Sequence, residues 1–288
     1  MRILFLGDIV GRSGRSAALD ALPGLRRDLK LDFVVVNGEN AAHGFGITPK
    51  ICTDFYEAGA DALTTGNHVW DQRELISYID GDARLVRPAN FPKGTPGRGA
   101  AEISLPDGRK VLVVQVMGRL FLEPLDDPFQ ALEDILSRYR LGATIAAIVV
   151  DVHAEATSEK MALGHAFDGR VSLVVGSHSH VPTADAQVLP GGTAYLTDAG
   201  MCGDYDSVIG MGKDVAISRF TRRVPGDRLT PADGEATLCG VFVETDDRSG
   251  RALSVAPLRI GGRLRQAFPE GWRNTKAFRG DSVPPYPP

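Results

Sequence analysis

The sequence predicts an α/β fold, because short apolar runs of strand length alternate with helical segments along most of the chain. The runs are nearly continuous in apolar residues, which is typical of parallel strands that are buried on both faces. They lie at residues 3–6, 33–36, 62–65, 145–150 and 171–175. A chain of 288 residues, 43% of them hydrophobic, is long enough for one large domain of this class, which we place at 1–270.

Local signals predict the first helices. A helical segment is expected at 13–30, where Pro23 should kink or split it because proline lacks a backbone donor. Thr48 and Pro49 supply an N-cap and a first-turn proline for a helix that ends near residue 58. Asp71 is expected to cap a further helix that ends near residue 79.

The middle of the chain departs from this alternation. Residues 87–98 are rich in Pro and Gly and predict a long loop, while 101–105 and 110–116 predict a β-hairpin. Asp127 and Pro128 should begin a helix. We expect residues 88–127 to form a cap-like insertion over the site; the alternative is an extra hairpin at the edge of a sheet.

The last third contains shorter elements. A helix is predicted at 158–167, a strand at 194–196, a glycine-rich turn at 199–203 and a β-hairpin within 237–258. The tail at 271–288 has four prolines among its last five residues and is predicted to be loosely ordered.

Composition excludes several classes of function. The net charge of −4 and the isoelectric point of about 5.9 argue against a dedicated nucleic-acid surface, which would be basic. No apolar run reaches the length of a membrane span, and the short N-terminal run does not resemble a signal peptide. The three cysteines form no CxxC pair or disulfide framework, so we expect a cytoplasmic protein.

Side chains that can bind metal follow five of the predicted strands. They are Asp8, Glu39 with Asn40, Asn67 with His68, His153, and His178 with His180. Strands of a parallel sheet end at one edge, where ligands bind, so these residues are expected to converge. Singly, each has an ordinary explanation as a helix cap, a turn or a structural histidine. Four of the six histidines of the chain nevertheless lie directly after predicted strands, which favours a shared site.

Carboxylate, amide and imidazole donors without cysteine fit manganese, iron or zinc. Two such ions about 3.5–4 Å apart can share a carboxylate and suit in-line displacement at phosphorus. Glu39 is predicted to be the shared carboxylate, because it lies between the other clusters. A sharp turn after Gly176 would let both His178 and His180 face the ions, whereas extended backbone would point them to opposite sides.

These residues resemble the motif series of the calcineurin-like metallophosphoesterases. The matching stretches are Gly7-Asp8-Ile9-Val10, Gly38-Glu39-Asn40, Gly66-Asn67-His68, His153 and Gly176-Ser177-His178-Ser179-His180. Val10 stands where the superfamily has histidine, and Glu39 where it has aspartate. Both departures are similar to the bacterial YmdB-type phosphodiesterases, which the chain resembles over nearly its whole length. Stretches that carry this resemblance include GDIVGRSGR, NGENAAHGFGIT and VDVHAEATSEKMALGHAFDGRVS.

The resemblance implies a sandwich of two mixed β-sheets flanked by helices, with a dimetal site at the C-terminal strand ends. It implies hydrolysis of 2′,3′-cyclic nucleotides to 3′-nucleotides by a metal-bridging hydroxide, usually with iron or manganese; zinc and magnesium are alternatives. Asn40 would replace the missing histidine. The implied ligand sets are Asp8, Glu39, Asn40 and His180 for one metal, and Glu39, Asn67, His153 and His178 for the other.

His68 follows a predicted ligand directly, so it can face the site without binding metal. We expect it to protonate the leaving 2′-oxygen or hold the phosphate; the alternative is that it packs against Trp70. Asp71 either orients the His68 ring or caps the helix. His43 either contacts substrate or lies on the surface. Asp198, after another short strand, is expected to have a supporting or structural role.

Rival functions remain open at this point. A phosphomonoesterase acting on nucleotides or phosphoproteins would use the same ligands, so only a panel of substrates separates it from a diesterase. A metal-stabilised regulatory protein with little catalysis is a second rival, although a complete ligand set beside His68 argues against it. The expected partner is a small cyclic nucleotide or another phosphate ester, with no membrane, and a homo-oligomer is possible. Gly7, Gly11 and Gly14 do not fit the nicotinamide-binding spacing.

Overall fold

Two mixed β-sheets pack face to face at the centre of the protein, in a computed structural model that describes residues 1–222 and 226–269. The tail predicted at 271–288 lies outside the described residues. The strands are β1 (Arg2–Leu6), β2 (Asp8–Ile9), β3 (Phe33–Asn37), β4 (Ala62–Thr64), β5 (Leu85–Val86), β6 (Ala100–Ser104), β7 (Lys110–Met117), β8 (Ala147–His153), β9 (Leu173–Ser177), β10 (Gln187–Val188), β11 (Ala194–Leu196), β12 (Met201–Asp204), β13 (Ala236–Thr245) and β14 (Ala252–Ile260). The helices are α1 (Gly11–Asp28), α2 (Pro49–Ala58), α3 (Glu74–Tyr78), α4 (Pro128–Leu136), α5 (Thr157–Ala166) and α6 (Lys213–Arg222).

The first sheet has the strand order β2-β12-β13-β1-β3-β4-β5, and β14 pairs with β13. Strands β1, β3, β4 and β5 run parallel, whereas β13 is antiparallel to β1. The second sheet has the order β10-β11-β9-β8-β7-β6, with β7, β8, β9 and β11 parallel. Each sheet therefore brings the carboxyl ends of at least three strands to one edge.

Strand β1 shows how the sequence divides between two cores. Ile3 and Phe5 face the second sheet and pack in one core with residues such as Val113. Leu4 and Leu6 point the other way and pack against the helices α1 and α2. This alternation follows from the two-residue period of a strand. A third core between the second sheet and the helices α4 and α5 completes a helix–sheet–sheet–helix arrangement, which confirms the predicted sandwich.

Pro23 does not split the first helix, because α1 is one continuous helix; the alternative, a kink at Pro23, stays a prediction. Pro23 lies on the exposed side of α1, while Leu22 and Leu25 are buried against the sheet. Each buried leucine contributes about 1.5–3 kcal/mol, which together offset the roughly 3 kcal/mol that an interior proline costs. The caps predicted at Thr48 and Asp127 are present, since their side chains accept amide hydrogens of the first turn.

Other elements differ from the sequence predictions. Helix α3 begins at Glu74 after Arg73, so Asp71 is not its cap. The turn expected at 199–203 is mostly the strand β12, which pairs with β2 and β13. The sequence did not indicate α6. It also did not indicate the two-residue strands β2, β5 and β10, which are too short to show a period.

The hairpin inside the proposed cap belongs to the second sheet. Strand β6 pairs antiparallel with β7, and β7 pairs in parallel with β8 over seven residues, from Val111 to Met117. Residues 100–117 therefore supply the last two strands of the second sheet. The prediction that 88–127 covers the site stays a prediction.

Gly14 sets how closely α1 approaches the first sheet. A Cβ at this position would overlap the carbonyl oxygen of Cys202 in β12. The Gly14→Ala variant should therefore lose about 1–3 kcal/mol of unfolding free energy through overpacking, measured by urea denaturation. Gly24 in the same helix is the control, since its Cβ would come no nearer than 3.8 Å to Arg27. Gly24→Ala should gain about 0.5–1 kcal/mol; equal effects of the two substitutions would contradict the close approach.

Candidate metal centre

Donor atoms from both sheets meet at the common edge of the sandwich. The donors of Glu39, His153 and His178 lie within 4.8 Å of one another. Nε2 of His153 is 3.0 Å from Oε1 of Glu39 and 3.2 Å from Nδ1 of His178. The side-chain oxygen of Asn67 is also 3.0 Å from the same Nε2. One carboxylate oxygen, one amide oxygen and two imidazole nitrogens thus lie close enough together to bind one metal ion.

A second group of donors adjoins the first and shares Glu39 with it. The donors of Asp8, Glu39 and His180 lie within 4.8 Å of one another. Nε2 of His180 is 3.1 Å from the side-chain oxygen of Asn40 and 3.9 Å from Oδ1 of Asp8. The structure therefore brings together all seven residues that the sequence nominated as ligands, and Glu39 is the member common to both groups.

Hydrogen bonds fix which imidazole nitrogen of His153 faces the centre. Ser177 gives its hydroxyl hydrogen to Oδ1 of Asp151 at 2.6 Å, so its oxygen accepts from Nδ1 of His153 at 2.8 Å. Nε2 of neutral His153 then presents a lone pair to the oxygens of Glu39 and Asn67. Lone pairs that face one another at 3.0 Å repel unless a proton or a cation lies between them.

The other two histidines follow the same pattern. Nδ1 of His180 donates to the carbonyl oxygen of Ile209 at 2.8 Å, which leaves its Nε2 lone pair facing Asn40. Asn40 donates its NH₂ to the carbonyl of Gly44, so its oxygen is the atom turned toward His180. Nε2 of His178 lies 3.2 Å from the carboxylate of Glu155, which leaves Nδ1 for the centre. The three histidines and Asn40 are therefore oriented as a metal-binding site requires.

Burial sharpens the electrostatics of the centre. Burial raises the pKa of Asp8 to about 6, since a desolvated carboxylate is less stable than its neutral form. Burial acts in the same direction on Glu39, but the charge and hydrogen bond of His153 outweigh it and hold the pKa of Glu39 at about 2. Against burial, Glu39 raises the pKa of His153 to about 9. Protonation of His153 and metal binding compete for the same nitrogen, because a histidine ligand must be deprotonated.

A buried carboxylate beneath the donors holds the two sheets in register. Oδ2 of Asp151 accepts from Thr64 at 2.6 Å, from Gln115 at 2.9 Å and from Asn37 at 3.0 Å, while Oδ1 accepts from Ser177. Thr64 and Asn37 belong to the first sheet, and the other partners belong to the second. Sequence analysis missed Asp151, although its position two residues before His153 in the same strand was a usable signal.

The loop after β9 turns both of its histidines toward the centre by adopting a strained backbone. His178 and His180 have φ of 90° and 65°, in the left-handed region that non-glycine residues seldom adopt. Asp198 holds the loop, because its carboxylate accepts from the amide and hydroxyl of Ser179 at 3.2 and 2.8 Å. Lys160 pairs with the same carboxylate at 2.6 Å, and both side chains are buried. Asp198 was expected to have a supporting role; Lys160 was missed.

His68 lies beside the centre without joining either donor group. Its amide donates to Oε1 of Glu39 at 2.9 Å, and its Nδ1 lies 2.9 Å from the carboxylate of Asp71. The ring packs edge-to-face on Phe45, at 5.0 Å between centroids, whereas the ring partner of Trp70 is Phe91. Asp71 thus fixes the proton on Nδ1 of His68. Nε2, on the other side of the ring, points away from Asp71.

His43, the remaining nominated residue, and two nearby arginines lie outside the donor groups. His43 is exposed in the glycine-rich loop, with a left-handed backbone at φ 56°. Arg12 pairs with Asp233 at the surface, and Arg15 donates to the carbonyl of Ala41. Neither arginine is among the residues that surround the cation positions.

Comparison with known proteins agrees with this geometry. The model of the family described as YmdB-like protein matches residues 4–258. A 2′,3′-cyclic-nucleotide 2′-phosphodiesterase of Bacillus subtilis is 47% identical over 260 residues, which are 90% of this chain and 97% of the relative.

Two solved structures share the fold over most of the chain. A crystal structure of a hypothetical protein from Thermus thermophilus has a TM-score of 0.85 and 41% identity, covering 91% of this chain and all of the other. A novel phosphatase from Mycoplasma pneumoniae has a TM-score of 0.84 and 33% identity, covering 91% of this chain and 93% of the other. With the two donor groups, these matches identify a divalent-metal site. Within the described parts of the chain, no helix has the length and apolar character to cross a bilayer.

Ser177 links Asp151 to His153 by two hydrogen bonds. Removing the hydroxyl of Ser177 should therefore weaken metal binding. In Ser177→Ala, Nδ1 of His153 loses its acceptor, so the ring is no longer held in one tautomer. We expect metal affinity to fall about 10- to 100-fold, as for other outer-shell partners of a metal-binding histidine, measured by isothermal titration of the metal-free protein.

The matched control is Ser77→Ala, because Ser77 is exposed on α3 and its hydroxyl donates to the carbonyl of Glu74 in the same helix. Its metal affinity should equal that of the unmodified protein. An unchanged affinity in Ser177→Ala would show that packing alone orients His153.

Proposed function

The chain belongs to the YmdB-like protein family, and from that premise we propose that it is a metal-dependent phosphodiesterase that hydrolyses 2′,3′-cyclic nucleotides to 3′-nucleotides. The observation that carries the proposal is the pair of donor groups that share the carboxylate of Glu39. A shared carboxylate between two cation positions is the arrangement that suits in-line displacement at phosphorus. The activity of the Bacillus subtilis relative supports the substrate class.

We assign two metal ions to the two groups. The mixture of carboxylate, amide and imidazole donors, with no cysteine among them, favours iron or manganese, while zinc and magnesium remain alternatives for the test below. When bound, the ions supply an acidified water and neutralise charge on the phosphoryl oxygens. The ligands are Asp8, Glu39, Asn40 and His180 for one ion, and Glu39, Asn67, His153 and His178 for the other.

His68 is assigned to the proton that the leaving group needs. Hydrolysis forms a bond between a water oxygen and phosphorus, and it breaks the bond from phosphorus to the 2′-oxygen of the ribose. The 2′-oxygen leaves with a proton, which His68 can supply from Nε2 while Asp71 stabilises the ring through Nδ1. The amide of His68 donates to Glu39, so the backbone of His68 lies next to the shared carboxylate.

The His68→Ala variant should keep its metal and lose its turnover. No donor atom of either group is removed, so the metal content should remain unchanged, while turnover of a 2′,3′-cyclic nucleotide falls about 10²- to 10⁴-fold. Elemental analysis and steady-state kinetics measure the two effects. His165→Ala is the control, since His165 is exposed on α5; normal turnover in His68→Ala would refute the assignment.

A substrate panel tests the function itself. Metal-free protein is reconstituted with iron, manganese, zinc or magnesium and assayed on 2′,3′-cyclic nucleotides, 3′,5′-cyclic nucleotides, a linear diester and nucleoside monophosphates. We expect opening of the 2′,3′-cyclic ring to give the 3′-nucleotide, with activity that requires added metal. Preference for the monophosphates would instead support the phosphatase alternative, and background rates with every metal would support a regulatory protein.

We also propose that the protein acts in the cytoplasm. Its three cysteines, Cys52, Cys202 and Cys239, are buried free thiols, which suits a reducing compartment. His43 is kept as a proposed substrate contact, because it lies in the loop that follows Glu39 and Asn40 and its side chain is exposed.

A further inference from the structure

The loop that leaves β7 begins at the edge of the metal centre. Met117 pairs with His153 in the sheet register, and the amide of Gly118 donates to the carbonyl of His153 at 3.0 Å. A Cβ at Gly118 would overlap the carboxylate of Glu159 and would lie 2.6 Å from Cβ of Ala154. The chain therefore passes tightly over the segment that joins His153 to α5.

A carboxylate from α5 anchors this loop by its backbone. The amide of Arg119 donates to both oxygens of Glu159, at 3.0 and 3.1 Å, and the amide of Leu120 donates at 3.3 Å. Glu159 is itself buried, although carboxylates are seldom buried unless hydrogen bonds compensate for the lost water. The anchor fixes the path of the backbone immediately before Phe121.

Phe121 is presented to solvent in a conformation that needs an explanation. Its side chain is 88% exposed, and its backbone has φ of 65°, in the left-handed region. Large aromatic side chains are normally buried, and a bulky residue with positive φ is strained. An anchored loop that holds an aromatic ring outward, in a strained backbone, is typical of a binding element rather than of a connection.

We propose that Phe121 is the stacking platform for the base of the cyclic nucleotide, an inference that rests on the proposed function. Two residues separate Phe121 from Gly118, so the Cα atoms of Phe121 and Gly118 lie within about 11 Å of each other, and Gly118 is hydrogen-bonded to the carbonyl of His153. The base of a 2′,3′-cyclic nucleotide projects from the ribose away from the phosphate, so its platform has to lie outside the donor groups but within the reach of one nucleotide. Stacking on an aromatic ring accepts every base, because each has a π-face.

The test compares a substrate that has a base with one that lacks it. Adenosine 2′,3′-cyclic phosphate is the first probe, and the 2′,3′-cyclic phosphate of abasic ribose is the second. In Phe121→Ala, kcat/KM for the adenosine substrate should fall about 5- to 150-fold, the loss expected from one stacked base, while kcat/KM for the abasic substrate stays unchanged. Titration calorimetry with 3′-AMP should show the same loss of affinity, and Phe121→Trp should restore both.

Phe220→Ala is the matched control, because Phe220 is 79% exposed on α6, away from this loop in sequence. It should leave the ratio of the two kcat/KM values unchanged. An equal loss on both substrates, or no loss on either, overturns the stacking role. A change of oligomeric mass in Phe121→Ala with an unchanged ratio also overturns it and makes the ring a contact between copies. Failure of the unmodified protein to open either substrate instead refutes the proposed function, and the inference falls with it.

Discussion

The buried carboxylate of Asp151 is the interaction on which the geometry of the centre depends. It is the point where hydrogen-bond donors from both sheets converge, on a strand whose last residue is His153. An apolar core between two sheets fixes the distance between them. It only weakly fixes the position of one sheet along the other, since dispersion is not directional. Polar contacts from Asn37, Thr64 and Gln115 are directional, and they set the offset between the two edges. Donors from different sheets can then lie within a few ångströms of one another.

The same network decides the protonation of the centre. Asp151 orients Ser177, Ser177 orients His153, and the backbone carbonyl of Ile209 does the same for His180. Each link directs one nitrogen of a ring to the protein and the other to the cation. The left-handed residues of the loop after β9 are held in place by Asp198 and its buried partner Lys160. The energy of folding thus maintains an arrangement of facing lone pairs that would not persist in an isolated peptide.

Local patterns were sufficient to predict the α/β class and the donor clusters at the strand ends, whereas the sandwich of two sheets was predicted from the family resemblance. A buried strand has a recognisable composition, and the carboxyl ends of parallel strands meet whatever the details of packing. Asp151, Ser177 and Lys160 were not predicted, since their roles come from contacts between layers that no local period records. The effect of Pro23 was misjudged for a related reason. Burial of Leu22 and Leu25 keeps α1 continuous, and the helix propensity of proline alone does not include this burial. Asp71 contacts the ring of His68 and does not cap α3. The spacing of these residues in the sequence could not decide between the two roles.

If each donor group holds one ion, as proposed, the membership of Glu39 in both groups has a consequence for how the protein acquires the ions. A carboxylate that is recruited by the first cation has already lost its conformational freedom when the second arrives, and its charge is already partly compensated. The two occupancies are therefore thermodynamically linked, and each modifies the affinity of the other by the same factor. A molecule that carries a single ion is a distinct chemical species, and its abundance at limiting metal supply depends on the sign of that linkage.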